Sequence, residues 1–288
     1  MTQQPAVTHE PWTERRRRTA DLEQRYPFVT ELLSLYTALL DIQEEAYRLA
    51  ISDPPDLDHL PDYVADKVGT RVAEVSRAAG PARLRTSMEA WSRVDAEVVR
   101  RWLRTEAQPP VDRYVARAAL SPVLEAVPAL VVACRGPRDE RHCPSCGGPP
   151  QLSYFGLAGD DLAGGPRYLL CARCHNSWSY ARMKCAGCGE DSSQRLPIFS
   201  EEGTASGERG SVVRGLPGGD REPAADLRPR FPHMRIEACD RCKRYLVSID
   251  LERDARAVPV VDEMAALPLD LYAVEQGFAK ITPNLMGF

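Results

Sequence analysis

Four cysteine pairs of identical spacing constrain this 288-residue chain more than anything else in it: Cys143 and Cys146, Cys171 and Cys174, Cys185 and Cys188, Cys239 and Cys242. Two thiolates separated by two residues converge on one ion from a tight turn. Two such turns supply the tetrahedral shell that zinc or mononuclear iron takes. Eight sulfurs thus make two sites. With no secretory signal in the sequence, the thiols are expected in a reducing compartment, the cytoplasm, as ligands rather than disulfides.

The turns themselves carry local signals. Pro144 presets the bend in Cys143-Pro144-Ser145-Cys146-Gly147, and Gly147 and Gly189 trail the first and third pairs where a positive φ turns backbone amides toward sulfur. His175 and Lys243 trail the second and fourth, so the chain reads as two copies of a glycine-ended knuckle followed by one without glycine. This favours pairing first with second and third with fourth; a cross-braced pairing stays open. The gaps between pairs, residues 147–170, 175–184 and 189–238, fit consecutive pairing if the long third gap loops out, since closure entropy grows slowly with length.

Other uses of cysteine fit less well. Redox pairs of the thioredoxin kind need a βαβ setting, and iron–sulfur clusters commonly need closely run cysteines. The repeated Cys-x-x-Cys-x-Gly-x-Gly of a chaperone zinc centre is broken at Gly148-Pro149 and at Glu190-Asp191. His175 adjoins Cys174 but is expected to be a neighbour, since sulfurs already fill both shells. Arg182 and Lys184 flank the third pair, where they either offset thiolate charge or are simply solvated.

Ahead of the cysteines the texture is helical. Residues 1–13 read as a loose terminus, and Glu14 to Ser52 as one long helix or two, with Pro27 in a first turn. Val64, Val68, Val72, Val75 and Ala79 predict a helix stopped at Gly80-Pro81. Ser87 is expected to cap the next, which carries Trp91, Val94, Val98, Trp102 and Leu103 to Pro109-Pro110. Val111 to Cys134 continues helical, with interruptions near Pro122 and Pro128, and Cys134 is expected to be a buried, inert thiol. The run Arg15 to Arg18 lacks the apolar stretch of an export signal and is expected to be a solvated helix start.

From Arg141 short strands replace the helical period. Residues 200–230 mix glycine, proline and charges of both signs, and are expected to form a flexible insertion. Pro259 onward regains a helical stripe through Val261, Met264, Leu267 and Leu271, with Gly277 as its cap. No stretch approaches the roughly 18–20 apolar residues of a membrane span. A net charge of −4 opposes a dedicated nucleic-acid binder, though a metal-ribbon module binding nucleic acid or transcription machinery stays open.

The run Cys171-Ala172-Arg173-Cys174 through Trp178 and Arg182-Met183-Lys184-Cys185, with the tail Leu269-Asp270 through Glu275-Gln276-Gly277-Phe278, resembles the formate dehydrogenase accessory protein family, FdhE. The resemblance covers residues 143–288. It implies a cytoplasmic maturation chaperone, not an enzyme, that binds the catalytic subunit of formate dehydrogenase. It also implies two rubredoxin-like units with iron at the eight cysteines, where zinc is the chemical alternative. A rubredoxin-like one-electron carrier is a further reading. The expected architecture is α+β: an all-helical domain over 14–135, a first rubredoxin-like or zinc-ribbon unit over 141–184, a second over 185–258 holding the insertion, and a C-terminal helix and tail over 259–288.

Overall fold

The computed structural model describes residues 11–89, 91, 95–157, 165–201, 230–287 and the backbone of 211–213. Helix α1 spans Pro11–Arg25, so the loose terminus expected over 1–13 gives way to helix by Pro11; residues 1–10 lie outside the described residues. Pro27 then divides the helical stretch in two. It lacks an amide donor and leaves Tyr26 at φ −130 and ψ 76, out of helical geometry, and a short 3-10 turn restarts the chain into α2, Thr30–Ser52.

Helix α3 (Leu60–Tyr63) runs through a π-helical turn (Val64–Gly69) into α4 (Thr70–Ala79), which ends at Gly80. The single helix expected to start at Ser87 is instead α5 (Ala82–Glu89) and α6 (Ala96–Leu103). Ser87 lies inside α5, its hydroxyl bonded to Arg83 O at 2.9 Å. Asp95 is the cap, accepting the Glu97 amide at 3.0 Å. Val94 lies outside the described residues.

Helix α7 (Pro110–Ala126) passes through Pro122 without the interruption expected there. A proline at 122 cannot donate to the carbonyl four residues back, which is Ala118 O. Gln43 of α2 fills that vacancy, its Nε2 donating to Ala118 O at 3.0 Å.

The strands are β1 (Pro150–Phe155), β2 (Arg167–Cys171), β3 (Ser177–Ser179), β4 (Ile198–Glu201), β5 (Ser211–Val213), β6 (Met234–Cys239), β7 (Arg244–Asp250) and β8 (Ala279–Lys280). They form one sheet in the order β3-β2-β1-β7-β6-β4-β5, with β8 also on β7. The first cysteine unit supplies the β1-β2-β3 meander and the second the β6-β7 hairpin; the two join where β1 runs parallel to β7, Ser153 opposite Ser248. The two units are therefore parts of one sheet rather than separate ribbons. Within the expected insertion, Glu201 ends β4 and residues 211–213 pair with β4 as a parallel strand, while 202–210 and 214–229 lie outside the described residues.

Alternation along the strands gives the sheet two faces. Leu152, Tyr154, Ile236, Tyr245, Val247 and Ile249 pack against α1, α2, and the C-terminal helices α8 (Pro259–Ala265) and α9 (Leu267–Glu275). A second core joins α2, α4, α6 and α7 and includes Cys143, Cys146, Cys171 and Cys174. Helix α2 serves both, with Leu35, Leu39 and Ile42 in one and Leu33, Tyr36 and Leu40 in the other. Both cores cross the boundary near residue 140 that the change of texture suggests.

The arginine run is not the solvated helix start expected. Helical spacing turns Arg15 and Arg18 inward, leaving Arg17 exposed. Arg15 pairs with Glu125 of α7 at 2.7 Å, and Arg18 with Asp262 of α8 and Asp254. His233 Nε2 also meets Asp262 Oδ1 at 2.8 Å, so α1, α8 and the start of β6 close on one buried charge cluster.

Candidate metal centres

The fold gathers the eight cysteines into two quartets, Cys143, Cys146, Cys171 and Cys174, and Cys185, Cys188, Cys239 and Cys242, the sulfurs of each within 4.8 Å of one another. The grouping is consecutive, not cross-braced. In each quartet one knuckle begins where the chain leaves irregular structure, and the other caps a strand: Cys171 ends β2 and Cys239 ends β6.

All four knuckles share one backbone shape. The residue after the second cysteine takes a left-handed φ in every case: Gly147 at 68°, His175 at 54°, Gly189 at 79° and Lys243 at 54°. In three of them its amide returns to the carbonyl of the first cysteine, at 2.8 Å for Gly147, 2.9 Å for Gly189 and 2.8 Å for Lys243. Further amides point at sulfur, Gly148 to Cys146, Arg173 to Cys171 and Gly187 to Cys185, each at 3.3 Å. Such dipoles stabilise thiolate rather than thiol.

These dimensions fit a tetrahedral ion. Sulfur separations are 3.7 Å for Cys143–Cys174, 3.4 Å for Cys146–Cys171, and 3.7 Å for both Cys185–Cys242 and Cys188–Cys239. A metal–sulfur bond of about 2.3 Å in a tetrahedron puts its ligands about 3.8 Å apart. The donor set is all sulfur, and the cradle is close: a Cβ on Gly148 would stand 2.9 Å from Cys171 Sγ and 3.1 Å from Cys146 Sγ. Burial pushes the Cys171 thiol up from its ordinary pKa, and the neighbouring cysteines add to the rise. A cation is what lets four such sulfurs ionise together. Each quartet can therefore hold a metal ion.

The two centres differ in setting. The first is wholly buried and part of the helical core. Arg173, inside its second knuckle and 0% exposed, anchors it there, donating to Cys146 O at 3.0 Å, Trp102 O at 2.8 Å and Thr105 Oγ1 at 2.7 Å. In the second centre Cys188 and Cys242 are half-buried, so that centre reaches the surface. Lys184 pairs with Glu140, Arg182 donates to Gly165 O, and Arg141 reaches the knuckle carbonyl Gly187 O at 3.1 Å.

His175 is no ligand by position. Its Nδ1 meets Glu125 Oε2 at 3.2 Å, and burial pushes its pKa below the ordinary value against the pull of Glu125. Cys134 is buried as expected, but its thiol lies against Cys146 and the Arg173 guanidinium, a fifth sulfur beside the first quartet and outside it. Nothing in its sequence spacing points to that contact. For Arg173 the signal existed, an arginine enclosed in a Cys-x-x-Cys turn.

A helical half fused to a sheet that carries two four-cysteine knuckle quartets defines the class: a protein of two linked all-sulfur quartets, each able to hold a metal ion. Residues 142–182 match the model for "FdhE, central domain" and residues 224–286 that for "FdhE, C-terminal domain". Six of the eight cysteines fall in those stretches, with Cys185 and Cys188 between them. Similar curated proteins are the FdhE homologs of Aquifex aeolicus, 30% identical over 149 residues, and of Pseudomonas aeruginosa, 33% identical over 144. These alignments cover 52% and 50% of this chain and only 42% and 38% of the relatives. A crystal structure of the FdhE protein from Pseudomonas aeruginosa shares the fold, with TM-score 0.59 and 22% identity over 96% of this chain and 94% of that one. The central and C-terminal segments of the chain are thus similar to the FdhE family, and the chain spans less than half the length of these curated relatives. No described helix is long and apolar enough to cross a membrane.

Proposed function

We propose that this chain is a maturation factor for formate dehydrogenase, which binds the catalytic subunit in the cytoplasm, carries metal on Cys143, Cys146, Cys171, Cys174, Cys185, Cys188, Cys239 and Cys242, and has no turnover of its own. The match of residues 142–182 and 224–286, which hold six of the eight cysteines, to the FdhE domain models carries the reading. The chemistry agrees with it. A catalytic metal usually keeps one position open for water or substrate, and four thiolates per ion leave none. Small knuckle units bury little apolar surface alone, so ligation supplies folding energy and holds the two ends of the sheet in shape for docking.

Iron is the metal the family resemblance implies and zinc its alternative; four thiolates accept either, and only iron would exchange an electron. The partial exposure of Cys188 and Cys242 favours a second role at that centre, redox sensing or electron transfer. A net charge of −4 counts against the nucleic-acid alternative.

The test is genetic and biochemical together. Cells lacking the protein should lose formate oxidation, and the tagged protein should retain the immature catalytic subunit in preference to the mature one. Unaffected formate oxidation, with nucleic acid recovered in place of the subunit, would replace this reading.

A further inference from the structure

On the sheet face turned away from the helices lies a cleft of about 330 Å³, at the small end of the range for ligand sites. Its floor is built by register. Arg167 stands opposite Phe155 on β1, Ser248 opposite both Ser153 and Arg235, and Glu237 opposite Leu246. Lys184, Cys185 and Ala186, the knuckle of the second centre, make one wall, which Arg167 holds over the sheet by donating to Ala181 O at 2.9 Å and Lys184 O at 3.1 Å.

The charges do not balance. Arg167 and Arg235 share a single carboxylate, Glu237, at 2.6 and 3.1 Å, and Glu237 accepts also from Ser153. Among the described residues, five cationic side chains line the cleft against three acidic ones. Even with Lys184 assigned to Glu140, cations remain in excess. Donors are left over as well: among the described residues, Arg167 Nε, Arg235 Nε and Ser248 Oγ are buried without a partner, and Arg167 is only 3% exposed. Unmet buried donors are costly; two of these belong to arginines that line the cleft, with Ser248 beneath them on the same sheet face, and cationic side chains with spare donors suit an anionic acceptor.

The remaining lining is apolar. Phe155 sits between two guanidiniums, Arg182 at 4.9 Å and Arg235 at 4.5 Å from its ring, with Leu196, Ile198 and Ile281 around the mouth. We propose that this cleft binds a monocarboxylate carried on an aromatic or aliphatic body, the carboxylate completing the Arg167–Glu237–Arg235 floor and the body packing on Phe155 and the aliphatic rim. The site stands independently of the maturation role, since it needs no dehydrogenase to be filled. Its carboxylate comes either from a free acid or from the end of a polypeptide.

Titration calorimetry of the full, metal-loaded chain with N-acetyl-phenylalanine tests this, with the neutral N-acetyl-phenylalaninamide as control. The acid is expected to bind, the amide about tenfold more weakly or not at all, and Arg235→Gln to lose about tenfold in affinity for the acid, with metal content and helical signal unchanged. If Arg235→Gln fails to fold, Arg244→Gln at the rim should still weaken the acid and not the amide. A peptide ending in a free phenylalanine separates the sources: tighter binding than the acid assigns a chain end, equal binding a free acid. Equal binding of acid and amide, no binding of the acid at millimolar concentration, or full affinity in both variants overturns the proposal.

Discussion

Gly147 and Lys243 occupy the same knuckle position with opposite consequences. Gly147 holds φ at 68°, and a Cβ there would meet Gly136 C, Gly136 O and Pro137 O, each at 3.0 Å. Gly147→Ala is expected to cost about 1–3 kcal/mol in urea unfolding and to weaken metal retention at the first centre; an unchanged midpoint would contradict the strain argument. Lys243 already carries a side chain at φ 54°, partly offset by its surface pair with Asp240. Lys243→Gly should leave stability unchanged or raise it by up to about 1 kcal/mol. The knuckle glycines were legible because glycine is the ordinary occupant of that conformation. That His175 and Lys243 share it was not, since lysine carries no such signal and histidine only an enrichment that does not single out one position; it takes the converging sulfurs to impose it.

At the scale of elements, Pro122 shows why helical punctuation misled. Proline forbids its own hydrogen bond, but whether the helix breaks depends on whether a neighbour satisfies the orphaned carbonyl, and Gln43 lies 75 residues away in sequence. Gln43→Met should therefore cost about 1–3 kcal/mol by equilibrium denaturation, because the buried Ala118 O is left without its donor. Adding Pro122→Ala to that background restores an amide to the site and should recover most of the loss; a double variant no more stable than the single one would refute the pairing. Ser87 failed as a cap for a similar reason: its hydroxyl competes for Arg83 O inside α5, and Asp95 does the capping. The terminal stripe of α8 and α9 and the stops at Gly80 and Gly277 were readable, being decided within a few residues.

Over the whole molecule, the eight ligand candidates could be picked out from spacing alone, whereas the single sheet could not, because β1 and β7 pair across more than ninety residues with no turn to announce it. Charge locks the halves together. Burial resists ionising Glu125, but Arg15 of α1 and His175 beside the first centre outweigh it and hold the carboxyl down at about 2, from an ordinary 4.5. Because the folded value is the lower one, this stabilisation, about 3 kcal/mol, is present above pH 4.5 and is lost as pH falls toward 2. Glu125→Gln should accordingly flatten the acid limb of a stability–pH profile; a limb of unchanged slope would deny the lock. A competing chelator is expected to strip the half-buried second centre before the buried first, in two resolved phases, with helical signal lost only in the later one. Counting metal per chain tests the central claim most directly, by native mass spectrometry of anaerobically purified protein. Two ions are expected in the natural chain and one in each of the double variants Cys143→Ser with Cys146→Ser and Cys185→Ser with Cys188→Ser. One ion or none in the natural chain, or both ions lost together from the Cys185 and Cys188 variant, would contradict two separate four-sulfur centres.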